Sequence, residues 1–177
     1  PPGLPAPDTE AMTWLILSLL TALAAASQDT WVKKCFSHLS PFEMMAYGLV
    51  YSMPLLVVAV MFVPVPDHLD AIFWWNFGVS FPLNGVAFYL HNKAIRISPL
   101  SLTMPYLAFT PVFIILTGYV FLGEVLSSQG IAGIMVICLG SYVLNMRPGR
   151  WGLAEPLKAA FNEPGSRIML LVALMYG

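Results

Sequence analysis

Apolar residues in this chain come in five long blocks, and most of the charged residues lie between or beyond them. Blocks of about 20 residues match the ~30 Å apolar core of a bilayer at ~1.5 Å rise per residue. The pattern predicts helices over about 13–32, 42–62, 69–94, 100–122 and 128–144. Lys33-Lys34 closes the first, and Pro64-Val65-Pro66 ends the second. Trp74 and Trp75 supply an interfacial belt near the start of the third. A tight polar corner, Gly123-Glu124-Val125-Leu126-Ser127, turns the fourth into the fifth, with Ser127 expected as the N-cap.

Outside the blocks the expectations are different. Residues 1–11 are proline-rich and polar, with nothing to bury, so they are expected to be disordered. Met12 stands directly before the first block and is expected to be the natural start, unless the chain is a fragment at this end. A cleaved signal peptide is not expected, because the block lacks a basic n-region and outruns a short h-region. Residues 146–166 are expected to form a cytoplasmic loop, where Leu153, Leu157 and Phe161, close to Trp151, suggest a short interfacial helix. Residues 167–177 begin another apolar run, and 11 residues reach only half-way across a bilayer, so a truncated sixth membrane helix of a longer protein is expected.

Composition narrows the class. With 58% hydrophobic and 10% charged residues and a mean hydropathy of +0.77, the chain has too much apolar surface for one soluble core. The fold class expected is all-α, a polytopic membrane helical bundle whose partner is the lipid bilayer. A net charge of −1 gives no reason to expect nucleic acid. Cys35 and Cys138 have no disulfide or metal spacing and are expected to be packing residues. No phosphate loop, zinc-ligand cluster or nucleophile-base pair is legible, so no cofactor and no metal is expected.

The order of features in the fourth and fifth blocks is more specific. Ser98-Pro99-Leu100-Ser101 leads in, Thr110-Pro111 lies inside the first helix, Gly123-Glu124 stands at its far end, and Gln129-Gly130 opens a glycine-dotted second helix. This arrangement resembles the EamA domain of the drug/metabolite transporter superfamily, over roughly Thr13 to Leu144. The resemblance implies a five-helix repeat over residues 12–145 and full-length relatives of ten helices in two repeats. The final run, Arg167 to Gly177, faintly echoes the first block and would open the second repeat. An odd number of helices per repeat inverts the second copy, the logic of many carriers. The missing partner of this chain is then its second repeat, or a second copy in a dimer.

Orientation follows from charge. All eight Lys and Arg fall after helices 1, 3 and 5: Lys33, Lys34, Lys93, Arg96, Arg147, Arg150, Lys158 and Arg167. The other side holds Asp8, Glu10, Asp67, Asp70 and Glu124. By the positive-inside rule those basic loops are cytoplasmic and the N-terminus lies outside. The resemblance implies cytoplasmic termini instead, and the charge pattern is preferred because it belongs to this chain. A plasma membrane, the bacterial inner membrane, is the expected location.

Polar residues within the blocks are the site candidates. At about 100° per residue Asn76, Ser80, Asn84 and His91 share an arc of about 80°, and Thr103, Tyr106, Thr110 and Thr117 one of about 60°. Such groups are costly against hydrocarbon, so both stripes should face protein or water. Either they line a substrate path, with Tyr106 as an aromatic wall, or they bond their own helices and tie neighbours together. The first helix adds Ser18, Thr21, Gln28 and Asp29. Asp29 and His91 are the proton-coupling candidates. The bland alternatives are an Asp29–Lys33 ion pair and a headgroup-level His91. The deep helix-1 glutamate of the related small multidrug-resistance proteins has no counterpart here. Glu124 is expected to cap and complement the dipole of helix 5. Pro54, Pro82, Pro105 and Pro111 interrupt helices and free carbonyls. Gly130, Gly133 and Gly140 share a close-packing face.

The function expected is a secondary transporter of a small amphipathic solute, a metabolite or drug, by alternating access, and not an enzyme. The alternatives are an intramembrane enzyme, which needs two ionisable groups on facing helices, and a non-transporting subunit.

Overall fold

The computed structural model describes residues 7–63, 70–123, 127–144 and 162–177, and these residues are helical with short turns. Six helices result: α1 (Pro7–Phe36), α2 (Pro41–Val60), α3 (Ala71–Ile97), an interrupted α4 (Leu100–Leu122), α5 (Ser128–Leu144) and α6 (Pro164–Tyr176). Met12–Phe36, Pro41–Val60 and Leu100–Leu122 are long and apolar enough to cross a membrane. Helix α3 is longer still, but Trp74, Trp75, Asn76 and Asn84 dilute its hydropathy, and α5 and α6 are apolar and shorter. The all-α membrane bundle expected from the blocks is what forms.

Several boundaries have local causes. Helix α1 starts at Pro7, so residues 7–11 continue the helix where disorder was expected. Ser40 caps α2 reciprocally: its Oγ accepts from the Glu43 amide at 3.3 Å, and Glu43 Oε2 accepts from the Ser40 amide at 2.7 Å. Pro41 follows at the first helical position, where its missing N–H costs nothing.

Helix α4 changes winding three times. After one α-turn over Leu100–Thr103 it tightens to a 3-10 helix over Met104–Phe109, returns to α over Thr110–Thr117, and widens to a π-turn over Gly118–Leu122. Pro105 and Pro111 lack the amides that Ser101 and Leu107 would need for α-helical bonds. In the tighter winding the Thr110 amide takes the Leu107 carbonyl instead. Gly123 stops the helix at φ +67°, a left-handed conformation that suits glycine, and its amide returns to the Tyr119 carbonyl at 3.2 Å. Across the corner the Ser127 hydroxyl accepts from the Gly130 amide at 3.2 Å and caps α5. Glu124, the expected partner of that dipole, lies outside the described residues, as do Asp67, the basic residues 147, 150 and 158, and the expected interfacial helix.

The buried core sits at one end of the bundle. Met44, Ala94, Ile95, Tyr106, Met169 and Val172 form it, with Val32, Phe36 and Leu107 among its partly buried rim. Helix α6 is thus a core element of the bundle. Its entry is close-packed: a Cβ on Gly165 would lie 2.4 Å from both Cβ and Oγ of Ser98 and 3.0 Å from Thr103 Cγ2. One residue on, Ser166 Oγ donates to the Leu102 carbonyl at 3.1 Å, and Ser141 Oγ of α5 donates to the Pro105 carbonyl. Two carbonyls beside the first change of winding in α4 are therefore bonded by hydroxyls from neighbouring helices.

Candidate functional site

Helices α1 and α3 run parallel and meet at their C-terminal ends through two polar links, one turn apart on each helix. In the first, His91 Nε2 and Asp29 Oδ1 are 3.1 Å apart, with side-chain exposures of 13% and 21%. A carboxylate only accepts, so the imidazole donates through Nε2 and is left with Nδ1 as its other polar atom. Nδ1 is buried and bonded to nothing among the described residues. In the second link Lys33 Nζ donates to the carbonyls of Ile95, Arg96 and Ser98. These are end carbonyls of α3 with no amide ahead of them, and a cation there also suits the helix dipole.

The expected Asp29–Lys33 pair is therefore not formed. The lysine is drawn to the carbonyl-rich end of α3, and the aspartate turns to the imidazole one turn earlier. His91 is held between the two helices.

The two polar stripes have different surroundings. On α3, Asn76, Ser80 and Asn84 are exposed on the bundle surface, and Asn84 Nδ2 donates to the Ser80 carbonyl at 2.8 Å. On α4, Thr103 and Tyr106 are buried against α6, Tyr106 with its ring stacked 6.4 Å from that of Phe109. Thr110 is half-buried, and Thr117 Oγ1 lies 2.8 Å from the Gly177 carbonyl. The stripes are not brought together: the α3 residues Asn76 to Asn84 occupy its N-terminal half, while Thr103 and Tyr106 sit beside the C-terminal end of α3. Ser18 and Thr21 of α1 bond their own helix, to the carbonyls of Trp14 and Leu17.

A concave surface that the stripes did not announce lies between α1 and α2. It is a groove of about 700 Å³ bounded by Ser27, Gln28 and Trp31 on one side and Gly48, Tyr51 and Ser52 on the other. Trp31 and Tyr51 are its aromatic walls, and the Gln28 amide is its largest polar group. The signal was present in the spacing: Ala24, Ser27, Gln28 and Trp31 follow a helical i, i+3, i+4, i+7 pattern, and Gly48 and Ser52 are small residues one turn apart on α2.

Among the described residues no group of three or more His, Cys, Asp or Glu could hold a metal ion. The site is thus a cross-helix acid-imidazole pair, a carbonyl-bound lysine and an aromatic groove on the far side of the same helix. The sequence model of the EamA-like transporter family matches residues 12–146. No curated protein and no solved structure matches the chain.

Proposed function

The chain belongs to the EamA-like transporter family, a membrane protein of the drug/metabolite transporter superfamily, and we propose that it is a secondary carrier of a small amphipathic solute that works by alternating access. Proton exchange at Asp29 and His91 is the coupling step in this reading. The observation that carries it is their 3.1 Å contact between two helices of a transporter-family bundle. Ionisable groups are expensive at membrane depth and mark ion pathways when they occur there.

The solute path is drawn along the exposed polar residues of α3, Asn76, Ser80 and Asn84, with a second repeat or a second copy completing the cavity; Thr103 and Tyr106, buried against α6, are assigned to packing and Thr110 to the edge of the path. Glu124 is assigned the structural role of complementing α5. The basic ends of the helices are proposed to face the cytoplasm of a cell bounded by this plasma membrane. In support, Lys33 lies on the last carbonyls of α3 next to Arg96, and α6, which carries Arg167, enters the bundle at the same end, with Gly165 against Ser98.

The test is solute flux in proteoliposomes under an imposed pH gradient. Asp29→Asn should abolish the response to the gradient, and Asn84→Ala should slow flux without loss of insertion. Undiminished gradient-driven flux in Asp29→Asn would sink the coupling step. An intramembrane enzyme would use the same pair as general acid and base; it would convert its substrate without moving it, and product analysis of the same vesicles separates the two.

A further inference from the structure

The two links between α1 and α3 differ in kind. Lys33 is bound to carbonyls, which do not titrate, so that link holds for as long as the ammonium keeps its proton. The Asp29–His91 contact is only as strong as the charge on the imidazole allows. Beyond it, towards the N-terminus, every residue from Met12 to Gln28 is exposed. Among the described residues, α1 is held to the bundle by its last third.

We propose that Asp29 and His91 together form one proton-binding unit, and that its occupancy decides how firmly α1 is held against α3. The inference deepens the transporter reading and rests on it. In the empty state neutral His91 donates through Nε2 to the Asp29 carboxylate, and the lone pair on Nδ1 is free. A proton from solution adds to that lone pair and no other bond breaks. The imidazole becomes imidazolium, the contact becomes an ion pair, and the unit's net charge rises from −1 to 0. The bond to the carboxylate is charge-assisted in both states; protonation adds the Coulomb attraction between two opposite charges at 3.1 Å, and a pair without net charge is less costly in apolar surroundings than a lone carboxylate. Proton loss from the imidazole therefore weakens the Asp29–His91 link, and α1 pivots about the Lys33 joint.

Other charged or titratable groups on the packed elements are Asp8, Glu10, Lys33, Lys34 and Cys35 of α1, Tyr89, Lys93 and Arg96 of α3, and Arg167 and Tyr176 of α6; Asp8 and Glu10 lie at the far end of α1 from His91. On the neighbouring α2, Glu43 is engaged in its capping box with Ser40. Asp29 is thus the acid available to His91 on these elements.

The test uses the full chain in lipid nanodiscs, with Cys35 and Cys138 replaced by alanine and spin labels at exposed Ala22 of α1 and Val79 of α3. Pulsed electron resonance reads the distance at about pH 5 and about pH 9, on either side of the ordinary histidine range. The wild-type distance should lengthen at the higher pH. His91→Gln, whose amide donates to Asp29 at any pH, should stay short throughout, and Asp29→Ala should stay long throughout. Asp29→Asn, which keeps a hydrogen bond and loses the charge, should lose most of the response to pH. A wild-type distance that ignores pH, or a His91→Gln variant that still responds to it, overturns the proposal. Flux separates this from the transporter reading: a pH-dependent distance without gradient-driven flux leaves the proton unit standing and removes the coupling, and gradient-driven flux at constant distance does the opposite.

Discussion

Gly165→Ala should destabilise the bundle, and the structure says by how much. The new methyl would sit 2.4 Å from Cβ and Oγ of Ser98 and 3.0 Å from Thr103 Cγ2. A Cβ cannot rotate away, so relief requires moving α6 off α3. Over-packing of this kind costs about 1–3 kcal/mol. Alanine is also the better helix former, by up to ~1 kcal/mol in a helix interior, but Gly165 occupies the first turn of α6, where little of that gain applies. The net expectation is a loss of about 1–3 kcal/mol, a ~5- to 150-fold fall in the folding equilibrium constant. Reversible unfolding in mixed micelles, followed by tryptophan fluorescence, measures it. Gly140→Ala, where nothing lies within 4 Å of the added carbon, is the control. Adding Ser98→Gly should return part of the loss in a double-mutant cycle, because it removes both clashing atoms. Equal stability of Gly165→Ala and Gly140→Ala, or a cycle with no coupling, would refute the close approach of α6 to α3.

Two further outcomes use the same assay. Lys33→Met keeps the aliphatic stem and strips three carbonyls at the end of α3 of their donor; a loss of about 0.3–2 kcal/mol is expected for a cation at a helix C-terminus, together with faster amide exchange near Ser98, and unchanged exchange there would count against the link. Gly123→Ala forces a side chain onto a residue at φ +67° and should cost about 1–2 kcal/mol, whereas a neutral result would mean that the corner is wound differently.

What the sequence disclosed depended on how local the cause was. The extents of α2 to α5 were legible from block length and from Ser40-Pro41, Gly123 and Ser127, whose effects act within four residues. Pro105 and Pro111 announced a break in α4 but not its form. The form depends on which carbonyls are bonded from outside, and those donors, Ser141 and Ser166, lie 36 and 64 residues away. Periodicity set Asp29 and His91 each on a face of its own helix. It could not give the rotation of one helix against the other, which is fixed by packing, so the partner 62 residues on was missed and the near one, Lys33, was favoured. The same limit applies to Thr103 and Tyr106, which share a polar stripe and yet are buried against α6.

The place of α6 sets an order on biosynthesis. Ile95, Thr103 and Tyr106 are buried in part by Met169, Val172 and their neighbours, which leave the ribosome more than 60 residues later. During that interval the translocon holds five helices whose shared face is open to lipid and whose Leu102 carbonyl has yet to meet Ser166. The nascent chain is then most vulnerable to membrane proteases and to chance pairing with other helices. Synthesis of the segment between α5 and α6 acts as a timer on that exposure.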